Sequence, residues 1–200
     1  MIRNKGGQIK QIRNPLTCQP SRIGKGGQIW IETVLYTFIG LALIGITLSF
    51  VMPKINASKD MAVIEQSMDS LNVFQRNIDS LIERGNGNIR KVDILLKKGD
   101  LFISPEENKI LIRLYEFGDP YTEPGQVVSV GRIDILTEKD QKTYNEDISI
   151  SYEGVVDISY DSLNDEKKFS PTSVPYRLIM ENLGDTDSDG IIEIDIREFS

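Results

Sequence analysis

Residues 28–52 of this 200-residue chain read QIWIETVLYTFIGLALIGITLSFVM, and Glu32 is the one charged residue among them. From Ile29 to Met52 there are 24 residues, which span about 36 Å as an α-helix. The hydrocarbon core of a bilayer is about 30 Å thick, so this length crosses it with some tilt. The sequence therefore predicts a membrane-crossing helix over residues 29–52.

The charge on the two sides of this helix is unequal. Residues 1–27 carry six basic residues and no acidic one, a net charge of +6. The other 173 residues carry 17 Lys and Arg against 30 Asp and Glu, a net charge of −13. Lys and Arg next to a membrane helix stay on the cytoplasmic side, which predicts an N-terminus inside and a body outside. Since nucleic-acid binding depends on neutralising phosphates, so acidic a body argues against a nucleic-acid partner.

The rare residue types exclude several kinds of site. Cys18 is the single cysteine, so no disulfide within the chain is possible. The sequence has no histidine, which excludes catalysis by a Ser-His or Cys-His pair. It also excludes zinc sites built on His and Cys. We expect no enzyme activity, no catalytic residue and no bound organic cofactor.

The residues before the apolar helix carry a recognisable motif. Lys25, Gly26 and Gly27 lead into Gln28, and Glu32 is the fifth residue after Gly27. This arrangement resembles the N-terminus of type IV pilin precursors of the archaeal kind, which are cut after a glycine that follows a positive charge. The resemblance implies removal of residues 1–27 as a basic leader by a prepilin peptidase. A cut after Gly26 is the alternative, and it makes the acid the sixth mature residue.

The same resemblance gives Glu32 a role in assembly. In the family, an acid at the fifth position faces the free amine of a neighbouring subunit while the apolar helices pack into a filament. It implies a single-pass membrane protein before assembly and a subunit of a surface filament afterwards, whose partners are copies of itself or related pilins. The alternative is a signal-anchored surface binding module that keeps its leader and never polymerises.

The helix is predicted to continue past the membrane, over residues 28–84. Apolar residues step by three or four on one side of this extension, while polar residues occupy the other side: Met61, Ile64, Met68, Leu71, Phe74, Ile78 and Leu81. Pro53 predicts a bend or a local loosening, because proline cannot donate a backbone hydrogen bond. Gly85 and Gly87 predict the end of the helix after Arg84.

Residues 85–200 predict a β-rich head domain. Alternating apolar residues and frequent turn residues predict strands at 90–96, 101–104, 109–117, 126–136, 147–152, 155–160, 174–182 and 191–199. The first two read as a hairpin, and residues 164–173 read as an exposed loop. The expected fold class is therefore α+β, in which the long helix packs on an antiparallel sheet or a small β-sandwich.

One stretch of the head has the pattern of a calcium ligand set. Asp185, Asp187 and Asp189 alternate along the chain before Gly190, and Glu193 follows. Carboxylates with this spacing resemble the first half of an EF-hand loop. Ile196 stands where that loop needs a bidentate Glu, so the calcium hypothesis uses Glu193 as the last ligand. The alternative is an acidic turn between strands, since Asp and Gly favour turns.

Overall fold

The computed structural model describes the backbone of residues 25–199 and the side chains of residues 30–199. Residues 1–24 of the predicted leader, among them Cys18, lie outside the described residues. The chain divides into two units whose boundary falls between Ser49 and Phe50. The fold is α+β, one long helix followed by two sheets rich in antiparallel pairs, which confirms the predicted class.

Helix α1 runs from Lys25 to Arg84 and ends where the glycines predicted. Gly85 (φ +82°) and Gly87 (φ +80°) both have left-handed backbones, which glycine adopts without a Cβ penalty. The Gly85 N–H donates to the Leu81 carbonyl at 3.1 Å. Pro53 lies inside the helix, which continues through it to Arg84.

The second half of α1 supplies one wall of the core of the head. Ile64, Leu71, Phe74, Ile78 and Leu81 are all buried, as the apolar stripe predicted. Two positions differ from the prediction: Met61 is 46% exposed, and Ser67 is buried. Ser67 fits there because its hydroxyl donates to the Val63 carbonyl at 2.9 Å, which satisfies the polar group within the helix.

Ten strands follow the helix: β1 Ile89–Ile94, β2 Asp100–Ser104, β3 Lys109–Phe117, β4 Val127–Val130, β5 Ile133–Asp140, β6 Thr143–Ser151, β7 Val156–Tyr160, β8 Lys167–Phe169, β9 Tyr176–Gly184 and β10 Ile192–Glu198. Sheet A has the order β1-β9-β10-β7, and its β7–β10 pair is parallel. Sheet B has the order β4-β5-β6-β3-β2-β8, and all its pairs are antiparallel.

An apolar row crosses sheet B because its registers align alternate residues. Phe169 pairs with Leu101, Leu101 with Ile112, Ile112 with Ile148, and Ile148 with Ile135. All five side chains are buried. Buried residues of both sheets and of α1 form one hydrophobic cluster, so the head has a single core.

Three strand predictions are wrong beyond shifts of a few residues in the strand bounds, such as the start of β6 at Thr143 instead of residue 147 and the end of β5 at Asp140 instead of residue 136. Residues 126–136 form two strands, because Gly131 (φ +69°) and Arg132 make a turn between them. The predicted loop 164–173 contains strand β8, which forms because Phe169 is buried against β2.

The third correction concerns the hairpin expected from the first two strands. Strand β1 pairs with β9 in sheet A, while β2 pairs with β3 and β8 in sheet B. The chain changes sheet between them, and β1 itself ends at Ile94 instead of residue 96. Gly99 (φ +77°) lies at the entry to β2, where a Cβ would overlap the Arg113 carbonyl oxygen. The close approach of β3 therefore requires glycine at this position.

Candidate functional site

The first half of α1 exposes a surface made mostly of apolar side chains. Fourteen large apolar side chains between positions 30 and 52 are exposed: Trp30, Ile31, Leu35, Tyr36, Phe38, Ile39, Leu41, Leu43, Ile44, Ile46, Leu48, Phe50, Val51 and Met52. Burying one such side chain stabilises by about 1.5–3 kcal/mol, so water is a poor solvent for this surface. Within the described residues this helix, near the N-terminus, is long and apolar enough to cross a membrane.

Hydroxyl groups in the apolar segment find their partners within the helix. The Thr37 hydroxyl donates to the Thr33 carbonyl at 2.8 Å, and the Thr47 hydroxyl donates to the Leu43 carbonyl at 2.8 Å. The Ser49 hydroxyl donates to the Gly45 carbonyl at 2.9 Å. Since lipid offers no hydrogen bonds, polar groups in a membrane segment must be satisfied in this way.

Glu32 lies in this segment with an exposed side chain. It is the only charged residue between positions 28 and 52, about one turn after the predicted cut. The backbone of Lys25, Gly26, Gly27 and Gln28 is helical. Their side chains are outside the described set, so the processing motif stays a prediction.

Three of the four predicted calcium ligands lie in the turn between β9 and β10, and the fourth, Glu193, lies in β10. Asp185, Asp187 and Asp189 are all exposed, and each offers a carboxylate oxygen within 4.8 Å of the others. The structure therefore brings together three of the four predicted residues. Calcium is bound by several oxygen ligands at 2.3–2.6 Å. Carboxylate oxygens that lie this close to one another could bind a single calcium ion.

Backbone amides hold the aspartates of this turn. The Gly190 N–H donates to Asp185 Oδ2 at 3.0 Å, and the Ile191 N–H donates to Asp189 Oδ1 at 2.7 Å. Ser188 (φ +67°) and Gly190 (φ +91°) have the left-handed backbone that folds the chain back. These bonds also fit the acidic-turn alternative, so calcium remains a prediction.

Glu193 is the fourth predicted ligand, and its carboxylate has another partner. The Thr186 hydroxyl donates to Glu193 Oε2 at 2.6 Å. Both residues face an open hollow of about 610 Å³, which Asp187 also lines. Glu106, Asp157 and Asp165 line the same hollow, so its electrostatic character is acidic.

A buried carboxylate that the sequence analysis did not single out holds the longest loop of sheet B. Glu146 in β6 is fully buried, and its Oε1 accepts from the Tyr121 N–H at 2.9 Å. Its Oε2 accepts from the Thr137 hydroxyl at 2.6 Å. The Thr137 and Thr122 hydroxyls are 2.6 Å apart, so the loop of residues 118–125 is bonded to the sheet at two points.

Burial raises the pKa of the Glu146 carboxyl group. The hydrogen bonds from Thr137 and Tyr121 oppose this shift, and the nearby Asp147 carboxylate adds to it. The sequence does hold a signal for this residue. Glu146 is two and four residues before Ile148 and Ile150, so the alternation of a strand puts all three on the buried face.

Comparison of the chain with protein-family profiles, curated proteins and solved structures finds no match in any of the three.

Proposed function

We propose that this chain is a structural subunit of a surface filament of the type IV pilus family. A prepilin peptidase would remove residues 1–27, and the mature chain would wait in the membrane with its head outside. It would then enter a filament through the apolar half of α1. No catalytic step and no nucleic-acid partner belong to this function.

One observation carries the proposal. An exposed apolar surface over residues 30–52 follows directly after Lys25-Gly26-Gly27 and contains one charge, Glu32. A plain membrane anchor requires only the apolar length. The acid near the start of the helix costs free energy in lipid, and a cation that meets it would offset that cost. The amine released at Gln28 by the proposed cut is such a cation.

The change of character along α1 also supports this function. The second half of the helix already has its partner, since Leu71, Phe74 and Ile78 are buried in the core of the head. The first half has no such partner among the described residues, since its large side chains are exposed. Lipid would cover this surface before assembly, and the helices of neighbouring subunits would cover it in the filament.

Mass spectrometry of the native N-terminus tests the proposal. We expect a mature chain that starts at Gln28 when the chain is produced together with a prepilin peptidase. Gly27→Leu is a suitable control, since it changes the predicted cut and leaves residues 28–52 intact. A chain that retains residues 1–27 in the presence of the peptidase would instead identify a signal-anchored surface module.

A further inference from the structure

The outer face of sheet B contains an open hollow of about 560 Å³, called here the sheet-B hollow. Ile148 and Ile150 of β6 are buried in the core. Because side chains alternate along a strand, Asp147, Ser149 and Ser151 point to the opposite face of the sheet, where they line this hollow. Its volume is within the range of small-molecule sites, about 300–1,000 Å³.

Ser149 offers the sheet-B hollow a hydrogen-bond acceptor. Only 8% of the residue is exposed, and it lines the hollow, yet its hydroxyl makes no hydrogen bond to any residue that the structure describes. Strand pairing places it opposite Asp134 of β5 on one side and Leu111 of β3 on the other. A largely buried hydroxyl without a protein partner can accept a hydrogen bond from a ligand that enters the hollow.

The carboxylates around the sheet-B hollow favour a cation. Both oxygens of Asp147 accept hydrogen bonds from Arg113, so this charge is already compensated. Asp134 Oδ1 accepts from the Ser129 hydroxyl, and Asp134 Oδ2 has no hydrogen bond within the described chain. Apart from Asp147, four acidic residues and one basic residue line the hollow, a net charge of −3: Glu106, Glu107, Asp134, Glu153 and Lys109.

The side chains that line the hollow offer mainly acceptors. Asn108 is already engaged, since its amide donates to Asp157 and its side-chain oxygen accepts from the Ile158 N–H. The Lys109 ammonium lies 3.9 Å from a Glu107 oxygen. Carboxylates only accept hydrogen bonds, and ammonium groups only donate them. A ligand built from ammonium groups therefore matches this lining, whereas a peptide or a sugar brings acceptors of its own that would find few donors.

The free carboxylates are too dispersed for a single metal ion. Among the described residues, the group of acidic side chains that converges closely enough for an ion lies in the turn between β9 and β10, and it includes none of the lining residues. Glu153 follows Ser149 by four residues, a separation of up to about 13 Å along the chain. Glu106 and Glu107 lie in the turn before β3. Positive charges several ångströms apart on one flexible ligand fit this distribution.

The other end of the sheet-B hollow is apolar. Val127 of β4 pairs with Leu136 of β5, and Leu136 pairs with Asp147. Asp147 precedes Ser149 by two residues, whereas Glu153 follows it by four. In order along β6, the hollow therefore offers an apolar pair, the acceptors at Ser149, and the glutamates.

We infer that the sheet-B hollow binds a linear aliphatic polyamine, whose ammonium groups are separated by methylene chains. One ammonium group donates to Ser149 Oγ and Asp134 Oδ2. The methylene groups on one side of it lie on Val127 and Leu136, and an ammonium group on the other side meets the Glu153 carboxylate. The site belongs to the head, so it depends neither on removal of the leader nor on filament assembly.

Titration of the full chain with spermidine tests the inference. Isothermal titration calorimetry in an uncharged detergent at about 0.15 M salt is suitable, since attraction beyond about 8 Å is screened there. We expect saturable binding of one spermidine per chain, with an affinity that an equal concentration of Mg²⁺ changes by less than about twofold. Absence of saturable binding would overturn the inference. Displacement of spermidine by Mg²⁺ at that concentration would also overturn it, because diffuse attraction to an acidic surface depends on charge alone.

Asp134→Asn locates the binding within the chain. The amide oxygen can still accept from Ser129, but the charge that meets the ammonium group is lost, so the affinity should fall about tenfold. Asp93→Asn is the matched control, the same change at an exposed aspartate of β1 in sheet A, and its affinity should stay within about twofold of the wild type. If the two variants lose affinity equally, spermidine does not bind in the sheet-B hollow.

Ser149→Ala separates binding from folding. Because the hydroxyl has no partner in the described chain, its removal should leave the urea midpoint of the head unchanged. The affinity for spermidine should fall about fivefold, since a hydrogen bond to a charged group is lost. Unchanged affinity would contradict the role given to Ser149, whatever the midpoint.

Discussion

At the scale of single residues, the ionisation of Glu146 affects the stability of the head. Its carboxylate is fully buried and accepts hydrogen bonds from Thr137 and from the Tyr121 backbone. Burial raises its pKa, because the charged form loses its hydration. A raised pKa means that the folded state holds the proton to higher pH than the unfolded state does. The stability from this group is therefore complete below the unfolded pKa and is lost as the pH rises through the folded pKa.

Glu146→Gln should remove the loss of stability that ionisation of Glu146 causes as the pH rises. The amide can accept from the Tyr121 N–H and donate to the Thr137 oxygen, whose hydroxyl then donates to Thr122. We expect the free energy of unfolding of the variant, relative to the wild type, to increase between pH 4 and pH 7. Urea denaturation at several pH values measures it.

Glu138→Gln is the control for this prediction, since Glu138 is an exposed acid on the neighbouring strand. Its effect should change little with pH. A Glu146→Gln profile parallel to that of the wild type would contradict the role given to burial.

At the scale of elements, the two halves of α1 differ in burial: the first half is exposed and the second half contributes buried residues. The second half is an amphipathic helix whose apolar stripe completes the core of the head. Phe74→Ala should lower the free energy of unfolding of the head by about 3–5 kcal/mol, because it leaves a cavity at a fully buried site. Chemical denaturation in detergent, followed by the β-sheet signal in circular dichroism, measures this loss.

The same substitution in the first half of α1 provides the control. Phe38 is 65% exposed on the apolar surface, so Phe38→Ala should leave the stability of the head unchanged. If both variants lost the same free energy of unfolding, the division of α1 into a buried half and an exposed half would be contradicted.

The turn between β9 and β10 carries the calcium prediction. If Asp185, Asp187 and Asp189 bind calcium in the folded state only, the ion stabilises the head by about 2.7 kcal/mol at 100 times its dissociation constant. We expect a higher melting temperature in millimolar calcium than in chelator. Asp187→Asn should remove the difference, while Asp140→Asn, at an exposed aspartate outside this turn, should keep it. A wild-type melting temperature that does not respond to calcium would favour the simple acidic turn.

At the scale of the whole molecule, the proposed polymer depends on Glu32. Glu32→Ala should leave membrane insertion intact, since it makes the segment more apolar. It should lower the yield of filaments by about tenfold, which corresponds to the loss of about 1.4 kcal/mol per contact. Electron microscopy of sheared filaments, with immunoblots of the membrane fraction, measures both quantities.

Glu65→Ala is the matched control for Glu32→Ala, because Glu65 is an exposed acid on α1 outside the apolar segment. It should give a normal filament yield. A normal yield from Glu32→Ala as well would remove assembly as the reason for an acid at that position.

The sequence was sufficient for the features that depend on neighbours along the chain. A run of apolar residues predicts the first half of α1, and a period of three to four predicts the stripe that contains Leu71 and Ile78. The glycines after Arg84 predict the end of the helix at the observed residue. Alternation predicts strand β3 with its observed bounds, 109–117.

Contacts between residues far apart in the chain determine the strand pairing and the burial of Glu146. Strand β8 exists because Phe169 reaches Leu101, 68 positions earlier. Strands β1 and β2 lie in different sheets, since β1 pairs with β9 and β2 pairs with β3. The same applies to Glu146, whose burial depends on the loop that Tyr121 and Thr122 bring over it. Local patterns specify which residues form a helix or a strand, but the pairing of strands is selected by the shared core, whose burial free energy belongs to the assembled head as a whole.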